Sequence, residues 1–203
     1  MRRIFSLWAI FLIFLTTDNS SVHAYRLIYK EQLYELYHVH LYQHPTRIAE
    51  NIYYLEQVLR ADFANPLYAL ARITTKKEWE WYRHLFMMHV NLKLVELYLR
   101  WGSKYMKFEA YFYNYPWKRQ NLESLEKAES LFRFATVYWE EALDYSDRAK
   151  DTRYLHLQDI QNWEDEHARI QNGDLDYDFI INSHLEKLKN VREAFEEMDA
   201  STY

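Results

Sequence analysis

One stretch of the sequence decides the fold: TKKEWEWYRHLFMMHVNLKLVELYLRW, residues 75–101. Its start is a capping box, in which the Thr75 side chain accepts a backbone hydrogen bond and Glu78 reaches back to the helix start. The apolar residues that follow are spaced three and four apart: Leu85, Met88, Leu92, Val95 and Leu99. That spacing places them on one helix face and is typical of a seam between two helices. The stretch therefore predicts a long helix that packs lengthwise against another.

The same period recurs along the remaining chain, while residues that turn the backbone are scarce. The 203 residues include 2 glycines and 3 prolines, so the chain changes direction rarely and long helices are expected. We expect Gly102 to soften the long helix without ending it. We expect helical segments over residues 25–43, 46–62, 67–73, 76–114, 121–146, a stretch that ends at 171, and 174 onward. The sequence therefore predicts an all-α fold, an array of about six or seven helices paired as antiparallel hairpins.

Two details of this pattern can be checked against a structure. The first segment should bury a stripe formed by Leu33, Leu36, Tyr37 and Leu41. Near the other end of the chain, the pair Asn172-Gly173 is typical of a helix end, and Asp174 is the expected N-cap of the last helix.

The first 24 residues have the character of a signal peptide. Arg2 and Arg3 give a positive start, and residues 4–15 are almost entirely apolar. As a helix this run spans about 18 Å, short of the roughly 30 Å of bilayer hydrocarbon. We expect residues 1–24 to be removed and residues 25–203 to form one helical domain. That domain would be periplasmic or secreted, without stable membrane insertion.

Composition excludes several classes of site. The net charge is −5, and basic residues are not gathered in one block, which argues against nucleic acid as a partner. The absence of cysteine excludes disulfides, thiolate zinc sites and a cysteine nucleophile. With so few glycines the chain lacks a glycine-rich phosphate loop. We therefore expect a protein that is not an enzyme and needs no cofactor.

Residues 55–66, LEQVLRADFANP, resemble the closing helix of a tetratricopeptide repeat. Ala61 and Pro66 stand at the small and proline positions of that motif. Residues 125–143 and 185–195 are similar but have no closing proline. In general character the chain also resembles spirochaete periplasmic repeat proteins, including flagellar collar components. The resemblance implies helical hairpins that bind other proteins, in an envelope or flagellar assembly.

The chain is rich in aromatic residues, with 19 Tyr, 11 Phe and 7 Trp. Tyrosine and tryptophan suit half-buried surfaces because each has an apolar body and a polar tip. The candidate partner-binding residues are Tyr68, Trp79, Trp81, Tyr82, Trp101, Tyr111, Tyr113, Tyr115 and Trp117. Trp79, Trp81 and Tyr82 cannot all face one seam, so we expect at least one of the three to be exposed.

Two alternatives to a protein-binding scaffold remain open. Ferritin-like bundles hold two metal ions with paired Glu-x-x-His motifs, and this spacing occurs at Glu35/His38 and at Glu164/His167, with Glu96 and Glu129 as further carboxylates. The second alternative is a small-molecule carrier with an aromatic-lined pocket, which an enclosed apolar cavity would favour.

Overall fold

The computed structural model describes residues 27–107, 115–150 and 155–201. These residues form six α-helices and no β-strand. The helices are α1 (Lys30–Gln43), α2 (Ile48–Arg60), α3 (Lys76–Ser103), α4 (Lys118–Ala149), α5 (Gln161–Asn172) and α6 (Tyr177–Glu196). The predicted all-α fold is confirmed. The predicted signal peptide, residues 1–24, lies outside the described residues.

An antiparallel hairpin of α3 and α4 is the centre of the fold. The capping box at Thr75 and Glu78 is present at the start of α3. The predicted seam of α3 is buried, and so is the stripe of α4 that faces it: Leu125, Ala128, Phe132, Ala135, Trp139 and Ala142. At Gly102 the helices approach so closely that a Cβ atom would lie 2.5 Å from the Phe132 ring. This glycine therefore allows close packing at the end of α3.

The other four helices pack around this hairpin. Helix α2 lies against both α1 and α3, α6 lies along α4, and α5 contacts both α3 and α4. The apolar residues of all six helices share one core. None of the described helices is both long enough and apolar enough to cross a membrane.

Helix α1 buries the predicted stripe only in part: Tyr37 is buried, whereas Leu33 and Leu41 are half-buried against the core and Leu36 is half-buried. The residues it buries are Lys30, Glu31, Tyr34 and Tyr37. The Lys30 ammonium donates to the carbonyls of Val58 and Leu59 at 2.9 and 2.8 Å, so it caps the C-terminal end of α2. The predicted stripe left out these two charged residues because their burial depends on partners from other parts of the chain, which satisfy both side chains in the core.

Several predicted helix boundaries are wrong, and three of the errors have a local cause. The segment 67–73 is not an α-helix: a single 3-10 turn, Pro66–Tyr68, is followed by a loop whose Leu70 amide bonds the Tyr82 hydroxyl. Helix α3 ends at Ser103 instead of continuing to residue 114, and the chain then turns to a positive φ of 58° at Lys107.

The third error concerns the start of α6. Asp176, not Asp174, is the N-cap, and its carboxylate accepts from the Phe179 amide at 3.2 Å. The backbone N–H groups of Asp174 and Leu175 instead donate to the Arg169 carbonyl, so these two residues complete the end of α5.

The tetratricopeptide-like arrangement is not confirmed. A repeat of that family places two helices in 34 residues. Here α3 and α4 have 28 and 32 residues, so one helix is almost as long as a whole repeat.

Candidate functional site

Three of the predicted partner-binding aromatics contribute to the core. Trp81 and Tyr82 are 2% and 0% exposed, and Trp79 is half-buried and stacks on Tyr82 with 5.3 Å between ring centroids. The expectation that one of the three would be exposed is wrong, because the loop after α2 places Phe63 against Trp79 at 5.7 Å. Their burial argues against a partner face at the start of α3.

The remaining predicted aromatics do not form one surface. Tyr68 is exposed in the loop before α3, whereas Tyr115 and Trp117 are exposed beyond its other end, and Trp101 is half-buried there. Helix α3 has 28 residues, so its two ends, at or beyond which these groups lie, are about 40 Å apart. Tyr111 and Tyr113 lie outside the described residues.

A different group of apolar side chains forms an exposed surface, which we call the aromatic surface. It consists of Tyr53 on α2 and of Phe134, Val137 and Tyr138 on α4, together with Tyr98 of α3, which is only 6% exposed and packs against the rings of Phe134 and Tyr138. Tyr98 stacks on Tyr138 and contacts Phe134, each at 5.4 Å between ring centroids. Tyr53, Phe134 and Val137 are 57%, 51% and 52% exposed. Helices α2 and α4 therefore present apolar side chains to solvent, and α3 supports those of α4 with the buried Tyr98.

One carboxylate holds the two tyrosines of this surface. Glu56 accepts hydrogen bonds from the hydroxyls of Tyr98 and Tyr138 at 3.0 and 3.1 Å. Burial and the Glu56 charge raise the pKa of Tyr138 to about 12, so the hydroxyl stays protonated and donates at neutral pH. Tyr53 lies one turn before Glu56 on the same face of α2. The sequence signal for this surface was Phe134 and Val137, apolar residues outside the buried stripe of α4.

The two Glu-x-x-His pairs do not come together. Glu35 and His38 are exposed on α1. Of the further carboxylates, Glu96 pairs with Lys93 at 3.0 Å and Glu129 pairs with arginines. Across the part of the chain that the structure describes, no three acidic or histidine side chains are placed to hold a metal ion.

The second pair, Glu164 and His167, lines a cleft between α3, the end of α4 and α5. The cleft has a volume of about 640 Å³ and is open to solvent. Its walls include Trp81, Lys150 and Asp165 as well as this pair. The cleft is open to solvent and most of the residues that line it are polar or charged, so it is not the enclosed apolar cavity that a carrier of aromatic or aliphatic molecules would need.

Glu164 is bound by protein donors within the cleft. It accepts from the Leu157 amide at 2.7 Å, from the Trp81 indole N–H at 3.3 Å, and from His156 Nδ1 at 2.5 Å. Its carboxylate therefore ties the segment before α5 to α3 instead of pairing with His167. Sequence reasoning missed His156, because eight residues separate it from Glu164 and no helical spacing links them.

His167 has one ring nitrogen anchored and the other free. Its side chain is buried, and Nδ1 lies 2.9 Å from the Ser146 hydroxyl, which also accepts from Gln171 Nε2 at 2.8 Å. No group in the described chain forms a hydrogen bond with Nε2 of His167, and this atom is not fully buried. Burial lowers the pKa of His167, so the ring is neutral at neutral pH.

A second histidine, His89, is buried in a chain of hydrogen bonds across three helices. The Tyr34 hydroxyl lies 2.6 Å from His89 Nε2, and His89 Nδ1 lies 2.5 Å from Glu166. An ionised carboxylate can only accept, so Nδ1 donates to Glu166 and the Tyr34 hydroxyl donates to Nε2. His89 also stacks on Trp163 at 5.0 Å. The chain joins α1, α3 and α5.

We expect stability to fall as the pH drops from 7.5 to 5. Burial lowers the pKa of five histidines below 6.5: His38, His84, His89, His167 and His184. Below pH 6.5 the unfolded chain binds protons that the folded chain does not, so the free energy of unfolding decreases. The raised pKa of Glu31 acts in the opposite direction, but it is one group against five.

Urea unfolding at pH 7.5, 6.5, 5.5 and 5.0 measures this dependence. The variant His89→Gln should show a shallower decline than the wild type, because it removes one of the five groups. A midpoint that does not change between pH 7.5 and 5.5 would contradict the prediction.

Residues 77–198 match the family model described as a domain of unknown function, DUF8513. The chain belongs to the DUF8513 family. The DUF8513 region runs from the start of α3 to just beyond α6, so it includes every residue named in the cleft. Only part of the aromatic surface lies in the DUF8513 region, because Tyr53 belongs to α2, outside that region. Glu56, which binds the two tyrosines, also lies outside it. No curated protein and no solved structure matches the chain.

Proposed function

We propose that this protein is an exported, non-enzymatic adaptor that binds another protein in a bacterial periplasm, as part of an envelope or flagellar assembly. The observation that carries the proposal is the aromatic surface of α2, α3 and α4. Large apolar side chains that are half exposed and adjacent are typical of binding surfaces, whereas single exposed ones are common everywhere.

The chemistry of this surface suits protein recognition. The buried centres of protein interfaces are enriched in tyrosine, tryptophan and phenylalanine. Here Glu56 holds the Tyr98 and Tyr138 rings in place before any partner arrives. A surface that is already ordered loses less side-chain entropy on binding, so more of the contact energy becomes affinity.

Photocrosslinking in the native host tests the proposal. A crosslinking amino acid at Phe134 or Val137 should give one discrete adduct with another protein. Phe179 on α6, which is 74% exposed, is the matched control position and should give no such adduct. The same adduct from all three positions, or none from Phe134 and Val137, would refute a partner at the aromatic surface.

Export needs a separate measurement. The intact mass of the protein recovered from the native host should correspond to a chain that begins at Tyr25. A full-length chain that starts at Met1 and fractionates with the cytosol would refute the exported part of the proposal.

A further inference from the structure

We propose that the cleft between α3, α4 and α5 binds an organic cation, a primary ammonium or guanidinium group on a short flexible chain. This site is separate from the aromatic surface and goes beyond the proposed adaptor function. The argument rests on the charges of the walls, the helix ends around them, and one buried side chain with a free polar atom.

The charges of the walls favour a positive ligand. Two carboxylates, Glu164 and Asp165, line the cleft against one ammonium, Lys150. Lys150 is already paired with Asp147 at 2.7 Å. The carboxylate of Asp165 is exposed, and within the described chain it has no ion-pair partner. Glu164 already accepts from three protein donors, so the negative charge that is free to attract a cation entering the cleft is that of Asp165.

The C-terminal ends of two helices also favour a positive ligand in the cleft. Lys150 is the residue that caps the C-terminal end of α4, and Gln171 and Asn172 form the last turn of α5. The C-terminal end of a helix carries a partial negative charge and attracts cations. Helix α3 contributes Trp81, and the free N–H groups at its own start are capped by Thr75 and Glu78.

His167 offers a free hydrogen-bonding atom to a ligand in the cleft. The residue is 6% exposed and lines the cleft, and its Nε2 atom has no partner in the described chain. When Nδ1 donates to Ser146, Nε2 presents a lone pair that can accept from an ammonium or guanidinium N–H. Because the ring is neutral, it does not repel a positive group. The adjacent Trp81 ring, 5.2 Å from the His167 ring, adds an aromatic wall of the kind that cations favour.

Three ligands of equal length distinguish the binding of a cation from the binding of a neutral molecule or an anion. We would titrate the purified protein with putrescine, 1,4-butanediol and succinate by isothermal titration calorimetry at low ionic strength. Putrescine should bind, and the neutral diol and the dianion should not. Binding of succinate, or equal binding of putrescine and butanediol, would overturn the proposal.

Two substitutions with opposite expected effects on putrescine affinity then show whether the ligand binds in this cleft. Asp165→Asn should weaken putrescine binding by about two- to fivefold, which is the range for one exposed charge pair. Lys150→Ala should strengthen it, because the substitution removes the competing ammonium. Glu140→Gln neutralises an exposed carboxylate on α4 outside the cleft and should leave the affinity unchanged. Weaker binding in Lys150→Ala would contradict a cation in this cleft.

The cation could be a free amine or the side chain of a protein. A capped tripeptide, acetyl-Ala-Lys-Ala-amide, represents the second source, and its norleucine analogue lacks only the charge. Binding of putrescine alone indicates a free amine, and stronger binding of the lysine peptide indicates a basic segment of a protein. If neither binds, the proposal is wrong. These titrations need no other protein, so their failure would leave the crosslinking test of the aromatic surface unaffected.

Discussion

The substitution Trp163→Ala is expected to lower the free energy of unfolding by about 3–5 kcal/mol. Trp163 is 3% exposed and joins three helices in one aromatic cluster. Its ring contacts Tyr34 of α1 at 6.0 Å, and Phe86 and His89 of α3 at 5.5 and 5.0 Å. Alanine would leave a cavity where α1, α3 and α5 meet, and neither Tyr34 nor His89 can move into it without breaking the hydrogen bonds of His89.

Urea unfolding followed by circular dichroism measures this loss. Trp117→Ala is the matched control, because Trp117 is 54% exposed and its removal opens no cavity in the core. We expect the control to cost less than about 1 kcal/mol. Equal losses for the two variants would mean that the aromatic cluster does not join the three helices.

The substitution Glu31→Ala is expected to cost about 2–3 kcal/mol, because it leaves a buried donor without a partner. The Glu31 carboxylate accepts from the buried Ala64 amide at 2.9 Å. It also lies beside Lys30, whose ammonium is buried against the end of α2. Without Glu31 the Ala64 amide is unsatisfied and the buried ammonium loses the nearest negative charge on its own helix.

Two further variants show whether the loss has this cause. Glu31→Gln keeps an oxygen acceptor for the Ala64 amide, so it should retain part of the lost stability. Glu35→Ala removes an exposed carboxylate one turn further along α1 and should change stability by less than about 0.5 kcal/mol. A loss in Glu35→Ala as large as in Glu31→Ala would point to the removal of a negative charge from α1 as the cause, not to the buried bond, because alanine is a better helix former than glutamate.

The candidate sites show which features of a site could be predicted from the sequence. The pair Glu164/His167 drew attention by its spacing, and both residues do line the cleft. Their roles differ from the predicted shared ligation, because Glu164 is engaged by His156, Leu157 and Trp81, which come from outside its own helix. Residue spacing places two side chains on one helix face, but it does not reveal which distant groups already occupy them.

The aromatic residues of α3 and α4 also show that the sequence did not reveal which helix faces are covered. The sequence predicts that at least one of Trp79, Trp81 and Tyr82 is exposed, because residues so close together cannot all face one seam. In the structure α3 is covered on several sides, by the loop after α2, by α4 and by α5, so a central helix has little exposed face. By contrast, Phe134 and Val137 of α4 are exposed, because no other described helix covers that face.

The sequence by itself determined the helices, since the capping box at Thr75 and the three-and-four spacing in α3 and α4 involve neighbours in the chain. Such local signals lie within one or two helical turns, where the backbone alone dictates which residues share a face. Only the tertiary structure decided which faces are covered, where Lys30 and Glu31 find their partners, and how His156, Glu164 and His167 come to line one cleft. Those outcomes depend on contacts between residues far apart in sequence, and no periodicity records them.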